Sequence, residues 1–594
     1  MSSSKLDYNF FRNFATNNHC YEKHRFEFLG SCEIKANISD LFSVVSNTSA
    51  INKLANFNKR FEKEVDGKLQ IDTDILGRKT SWIEHPWIWD WGKYIISQRD
   101  HLQGFFLYEY SVIYLQPTSN DTYRFYFYYS ADVKSLFMKY LLHFAMKSIF
   151  NKIQIAIKTL LNDKVDQRSG KQYLNMNQFY NRLESLGVDH KISKPLSELI
   201  CFGDDDIVDK IKLPYYSEQW QIPKEELVES FLKLSKKNVL DLKWEVLCPH
   251  CNGSRFSTLK LSDLATNYSC EACDIDFKLD KTEMINCTFS INESVRKVEV
   301  FNYCAGEPYK KPHIKLNTLI GSNENYKTDF YNFEEGDYRL RITGEENYSI
   351  FKVKNLSPEK DLVWNNDIKL NNKCLGTNFS LTLQNSSSIE RYFVLEKIEK
   401  IPFYLGPLEI FNAKNFRKLY SDQEFNKGIQ LELPTQTIVF TDIVGSTKFY
   451  EEHGDLNAYK EVRRHFELVE NIIESYSGTV IKTIGDAIMF TINNPSDFLT
   501  IITEIKNKLL KSSVDFNLRY SIHEGPVIGV NYNRGIDYFG ETVNLCAKLQ
   551  SAAESNEVAL SESFYERNRG LIPANLSITK RKYLSDKNAF VIQL

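Results

Sequence analysis

The sequence predicts an α+β protein of several domains, and three observations predict it. The C-terminal part alternates strands and helices in the order β-α-β-β-α-β. Two Cys-x-x-Cys pairs stand in the middle of the chain. The regions flanking those pairs differ in kind, strands and helices before them and a strand-rich stretch after them. The length agrees, since 594 residues at roughly 100–200 per domain gives three to five domains. The segments read as 20–170, 171–240, 241–285, 286–400, 401–431 and 432–594.

Bulk properties narrow the function classes. The 74 basic and 77 acidic residues leave a net charge of −3, so no global field draws nucleic acid. No run approaches the ~18–20 apolar residues of a membrane span. Met1 to Asp7 is polar and lacks the apolar core of a secretory signal. Of the 11 cysteines, seven are single and four form the tight pairs. That pattern fits a reducing cytoplasm with one metal site better than a disulfide framework.

In the first segment, Phe26 to Ala36 reads as a strand. Ile38 to Ala55 reads as helical, with Ile38, Leu41, Phe42, Val45 and Ile51 as its apolar positions. Strand candidates follow at Phe105 to Leu115 and Tyr123 to Ala131. Leu136 to Leu161 is a long apolar-rich helix broken by Lys139, Lys147, Lys152 and Lys158. This order of parts resembles the helix-grip, START-like fold. The resemblance implies a space between sheet and final helix that takes an apolar small-molecule ligand. The aromatic block Trp82 to Trp91 suits such a ligand, and suits an ordinary aromatic core better.

Residues 171–240 read as helical. Cys248-Pro-His-Cys251 and Cys270-Glu-Ala-Cys273 then read as a zinc ribbon, because four thiolates at this spacing suit one tetrahedral, structural Zn²⁺. His250 is surplus to that set. Residues 286–400 read as a small β-sandwich with turns at Gly321-Ser322, Glu335-Gly336-Asp337 and Asn371-Asn372. Residues 401–431 read as a linker.

The last segment carries the chemistry. Thr437 to Thr441 is a short β-branched run, hence a buried strand. Tyr459, Val462, Phe466, Val469, Ile473 and Tyr476 make one helix face. Val480 to Ile484 and Ala487 to Thr491 are strands joined by the turn Gly485-Asp486. A second helix opens at Pro495, and Phe516 to His523 is a fourth strand. The order is ferredoxin-like and sets the third strand antiparallel to the first. Asp442 therefore meets Asp486 at one sheet edge. Paired carboxylates repel unless something cationic joins them, and two Mg²⁺ or Mn²⁺ ions are the natural candidates. Gly445, Ser446 and Thr447 follow at once, with backbone N–H groups suited to phosphate oxygens.

Phe440 to Thr447, Lys482 to Asp486 and Asp537 to Asn544 resemble the three signature blocks of class III adenylate and guanylate cyclases, in the family's order and separation. The resemblance covers about 160 residues. It implies that Asp442 and Asp486, with the Ile443 carbonyl, hold the catalytic metals. It implies that Lys482 and Asp537 select the purine, the lysine for adenine N1 and the aspartate for its amine, which favours ATP and cyclic AMP over GTP. Asn544 resembles the ribose-orienting asparagine. Lys548 stands where the family places an arginine that steadies the α-phosphate, so a charge is kept and a planar fork is lost. The basic run Lys580 to Lys582 is a candidate for the terminal phosphates. In the family, the metal aspartates and the Asn544-type residues come from different protomers, so a head-to-tail homodimer is implied. Residues 175–285 resemble the uncharacterised region preceding some bacterial cyclase domains, and the regions ahead of the cyclase are then regulatory sensors. Two other readings stay open: a cyclase of guanylate or pyrimidine specificity, and a degenerate nucleotide-binding regulatory protein.

Overall fold

The structure is a computed structural model. It describes all residues except 1–4, 15–23, 58–59, 66–67, 76, 120, 163–171, 271–272, 299–306, 346, 356, 366, 369, 371–372, 399–402, 421, 427–428, 512–515, 532–535 and 585–586. The side chains of residues 60–65 and 68 are also excepted. The turn expected at Asn371-Asn372 lies outside the described residues.

The N-terminal unit is an antiparallel sheet in which Arg25–Lys35, Thr122–Val133, Phe106–Ser119 and Tyr94–Gln103 are successive neighbours. The short helix Ile38–Ser46 is capped by Asn37, whose Oδ1 accepts from the Asp40 amide at 2.8 Å. The long helix Leu136–Asn162 lays Met138, Leu142, Met146, Phe150 and Ile153 on the sheet. Gly30 admits it. A Cβ there would stand 2.8 Å from the Phe150 ring, so only glycine lets the helix approach this closely. The aromatic block is core. Trp82, Trp87 and Trp89 are buried, and the first two donate their indole N–H groups to Glu84 at 2.7 and 2.8 Å.

This sheet does not end at the unit's edge. Strand Ile88–Asp90 pairs with Ile314–Ile320, setting Trp89 opposite Asn317 and Asp90 opposite Leu316. The Trp89 indole donates to the Ile314 carbonyl at 3.0 Å, and the Asn317 amide donates to the Trp87 carbonyl at 2.6 Å. The strand-rich region thus continues the N-terminal sheet through Ile314–Ile320, Arg391–Lys397 and Gly336–Ile342. A second sheet, Asn325–Phe330, Phe379–Gln384 and Asp361–Trp364, closes over a core that includes Phe333, Tyr338, Trp364 and Phe393.

Helices Met176–Ser185, His190–Phe202, Leu213–Trp220 and Lys224–Lys236 pack on a three-stranded sheet of Ser254–Thr258, Leu240–Leu247 and Ile285–Ile291. The last of these strands, read from the sequence with the β-rich stretch, pairs instead with Leu240–Leu247. The stretch read as a linker carries helices Pro407–Phe411 and Lys414–Leu419, with Phe411, Phe416, Tyr420 and Phe425 buried against Trp244 and its neighbours. Helices this short show no periodicity of their own and stand on tertiary packing.

The C-terminal unit is a sheet in the order Thr479–Ile484, Ala487–Ile492, Leu431–Ile443, Leu518–Asn531, Glu557–Ser561, Asn588–Gln593, Ile578–Lys582. Helices Asp455–Ser475 and Phe498–Leu509 cover one face through Val462, Val469, Ile473, Ile501 and Ile505. Tyr459, expected on that face, is exposed, and Ala458 and His465 are buried in the same helix. The other face, Ile438, Phe440, Met489 and Tyr538, packs into the core that holds Phe411 and Trp244.

Candidate active site

The first strand runs antiparallel to the third with Thr441 opposite Ile488, so Asp442 meets Asp486 in the turn that opens the third strand. Gly485, at φ +64°, permits that turn. The two carboxylates differ in state. Arg519, the register partner of Asp442 on Leu518–Asn531, donates to its Oδ2 from Nε at 2.8 Å. Asp486 keeps a buried Oδ2 with no hydrogen-bond partner. A bare buried carboxylate oxygen is costly, and a hard divalent cation relieves that cost. The donor set fits such an ion, with the Ile443 backbone directly after Asp442.

His465 lies close enough to Asp486 to feel its charge. Burial pushes its pKa down to about 4 against the opposing pull of Asp486, so the ring is neutral at pH 7. Gly445, at φ +78°, opens the helix Ser446–His453, and no side chain caps it. The first amides of a helix lack intrahelical partners, and those of Ser446 and Thr447 are among them.

Lys482 and Asp537 come together, with Nζ 2.8 Å from Oδ2. Lys482 also lies 4.7 Å from the Phe539 ring centroid, and Asp537 accepts the Tyr538 amide at 2.7 Å. Asn544 and Lys548 stand one turn apart on the exposed face of helix Glu541–Leu549, whose Cys546 and Leu549 are buried. In the basic run, Arg581 is tied to Glu557 at 2.6 and 2.8 Å and Lys580 to Glu562 at 3.3 Å, whereas Lys582 is exposed. Along strand Leu518–Asn531, Arg519, facing Asp442, is near the start and Val530, facing Asp537, is near the end, while Lys482 is in register with Met489 and, through it, with Phe440, two residues from Asp442.

Residues 432–585 match the adenylate and guanylate cyclase catalytic domain. They form a class III cyclase domain. Residues 175–310 match a second family, one of unknown function. The aggregation-specific adenylate cyclase of Dictyostelium discoideum is 31% identical over 158 residues, which are 24% of this chain and 11% of that protein. Guanylate cyclase 2G of Rattus norvegicus is 28% identical over 145 residues, 21% of this chain and 13% of that protein. The adenylyl cyclase CyaB of P. aeruginosa, a solved structure, is 19% identical over 28% of this chain and 95% of that one, with a TM-score of 0.24. The chain spans 14% or less of the length of these curated relatives.

Two further features lie outside the cyclase domain. Helix Lys414–Leu419 touches the strand that carries Asp537: Arg417 donates to the Ile536 carbonyl at 3.0 Å and lies over the Tyr538 ring, whose hydroxyl donates to Asn412 at 2.7 Å. The four paired cysteines converge, all buried, with ligand atoms within 4.8 Å of one another and Cys251 Sγ 3.8 Å from Cys270 Sγ. Four sulfurs at ~2.3 Å from one centre have edges of about 3.8 Å, whereas a disulfide needs about 2 Å, so the set fits a tetrahedral metal ion. Arg341, from the strand-rich region, donates to Cys273 Sγ at 3.7 Å and pairs with Glu396. His250 stays outside the sulfur cluster. Burial and the nearby Arg341 and Arg339 push its pKa down to about 4.

Sequence reasoning missed Arg519, Arg417 and Arg341. Each acts across a contact that only the folded chain creates. The position of Arg519 inside the strand expected over Phe516 to His523 was the one signal for it within reach.

Proposed function

We propose that this chain is an adenylate cyclase, converting ATP to 3′,5′-cyclic AMP and pyrophosphate. The observation that carries the reading is the Lys482–Asp537 pair, a donor and an acceptor held 2.8 Å apart beside Phe539. An adenine edge offers N1 as acceptor and its amine as donor, which matches that pair. Guanine offers the reverse and would leave both groups unmet. Asp442, Asp486 and the Ile443 carbonyl would hold two Mg²⁺ or Mn²⁺. When bound, these ions would lower the pKa of the ribose 3′-hydroxyl and neutralise the triphosphate. The amides of Gly445, Ser446 and Thr447 face the phosphates, Asn544 orients the ribose, and Lys548 offsets charge growing on the α-phosphate. Lys582 is the member of the basic run left to reach the terminal phosphates. In class III cyclases the metal aspartates and the Asn544-type residues come from different protomers, so two chains placed head to tail would complete two equivalent sites.

The regulatory part of the reading rests on Arg417 and Asn412. They link the helical and cysteine-bearing region to the strand of Asp537, so a change in that region can alter base recognition. Zn²⁺ is the ion we assign to the four cysteines.

The test is product analysis by mass spectrometry. Purified chain is given ATP, GTP, CTP and UTP with Mn²⁺ or Mg²⁺, beside an Asp442→Ala control. Cyclic AMP that disappears in the control supports the proposal. A different cyclic nucleotide overturns the base assignment alone. If no substrate yields a product, even with the segment from residue 427 onward, the degenerate regulatory reading replaces it.

A further inference from the structure

The helix Leu136–Asn162 has a second face. Its buried face is described above, and the opposite face exposes Phe137, Tyr140, Leu141, Phe144 and Ile155, which recur at helical spacing and form one stripe. Phe137 is 74% exposed and Phe144 78%, values unusual for large aromatics on a soluble surface. The charges on the helix itself are of one sign. The 27-residue helix carries Lys139, Lys147, Lys152 and Lys158 and no aspartate or glutamate. Lys147, Lys152 and Lys158 are exposed, flanking the stripe, and Arg78 lies over the Phe105 ring at 5.1 Å.

From this face we infer that the N-terminal unit docks on an anionic membrane surface, with the aromatic stripe in the headgroup layer and the lysines against acidic lipid. No helix among the described residues is long and apolar enough to cross a bilayer. This helix instead has the composition of one that lies in the interface: an aromatic apolar face, cationic flanks and a length of about 40 Å at 1.5 Å per residue. A chain exposing this face to another copy of itself would set like charges against each other, which is why lipid is the occupant. Anchoring here would hold the cyclase domain near a surface without a spanning segment. The inference is independent of the reading of the active site.

The experiment is flotation of the full chain with vesicles of phosphatidylcholine alone or mixed with phosphatidylserine. Binding is expected only to the mixed vesicles, falling as salt is raised. Phe137→Ser with Phe144→Ser, and separately Lys147→Glu with Lys152→Glu, should each weaken it by about tenfold or more. All four residues are exposed, so the variants should keep the wild-type circular dichroism. Absence of binding to the mixed vesicles, or equal binding by wild type and both variants, overturns the proposal. A dimer in sedimentation equilibrium that Phe137→Ser with Phe144→Ser dissociates, without vesicle binding, assigns the face to a second copy instead.

Discussion

Among the described residues, the four cysteines and the Asp442–Asp486 pair are the candidate metal sites, and they are built in opposite ways. The four cysteines are buried, close together and backed by Arg341, with ligand atoms within 4.8 Å of one another and one pair at the 3.8 Å edge of a tetrahedron. The carboxylate pair is open and unevenly satisfied: Asp442 is held by Arg519, and Asp486 keeps a bare oxygen. On the proposed reading, the first arrangement would keep an ion and stiffen what surrounds it, and the second would exchange one with each turnover. How fully a site's polar atoms are satisfied before the ion arrives separates a structural role from a working one.

The sharpest way to break this comparison is Asp486→Asn. It keeps the side-chain shape and removes a charge, so it should leave the thermal midpoint unchanged or higher and lower cyclase turnover about 1,000-fold or more, read with Mn²⁺ and ATP. Equal activity would show that the bare oxygen is incidental. Cys251→Ser should act in reverse. It should release zinc, measured by metal analysis of the purified protein, and cost about 3 kcal/mol or more of stability in denaturant titration.

A smaller effect is expected of Arg519→Gln. The guanidinium competes with cations for Asp442, so its loss should lower the Mg²⁺ concentration for half-maximal activity by several-fold, about the scale of one charge near a protein surface. A higher requirement would mean that Arg519 positions the carboxylate for metal. Smallest is Lys548→Arg, expected to raise turnover by about two- to tenfold with little change in KM, since the fork it restores acts on the transition state.

What the sequence made legible follows from distance along the chain. The three catalytic blocks are each under ten residues long, and the strand order that juxtaposes Asp442 and Asp486 follows from local periodicity and one topological rule. The cysteine set was legible for the same reason, as two four-residue knuckles. Arg519 was not, because it meets Asp442 only through strand register, 77 residues along the chain. The pairing of Trp89 with Asn317 was hidden likewise, since a three-residue strand leaves almost no alternation to read. Residues 407–419 were read as linker because two helices of five and six residues have no periodicity to announce them.

That shared sheet has a consequence for inheritance. Regions that fold alone can be shuffled between genes as beads on a string, but the strand-rich region here borrows its border from the N-terminal unit. An ancestor that lost residues 25–133 would have bared the backbone of Ile314–Ile320 as a free edge, an invitation to stack with its neighbours. The N-terminal unit and the strand-rich region are therefore expected to travel through evolution as one cassette, gained or lost together.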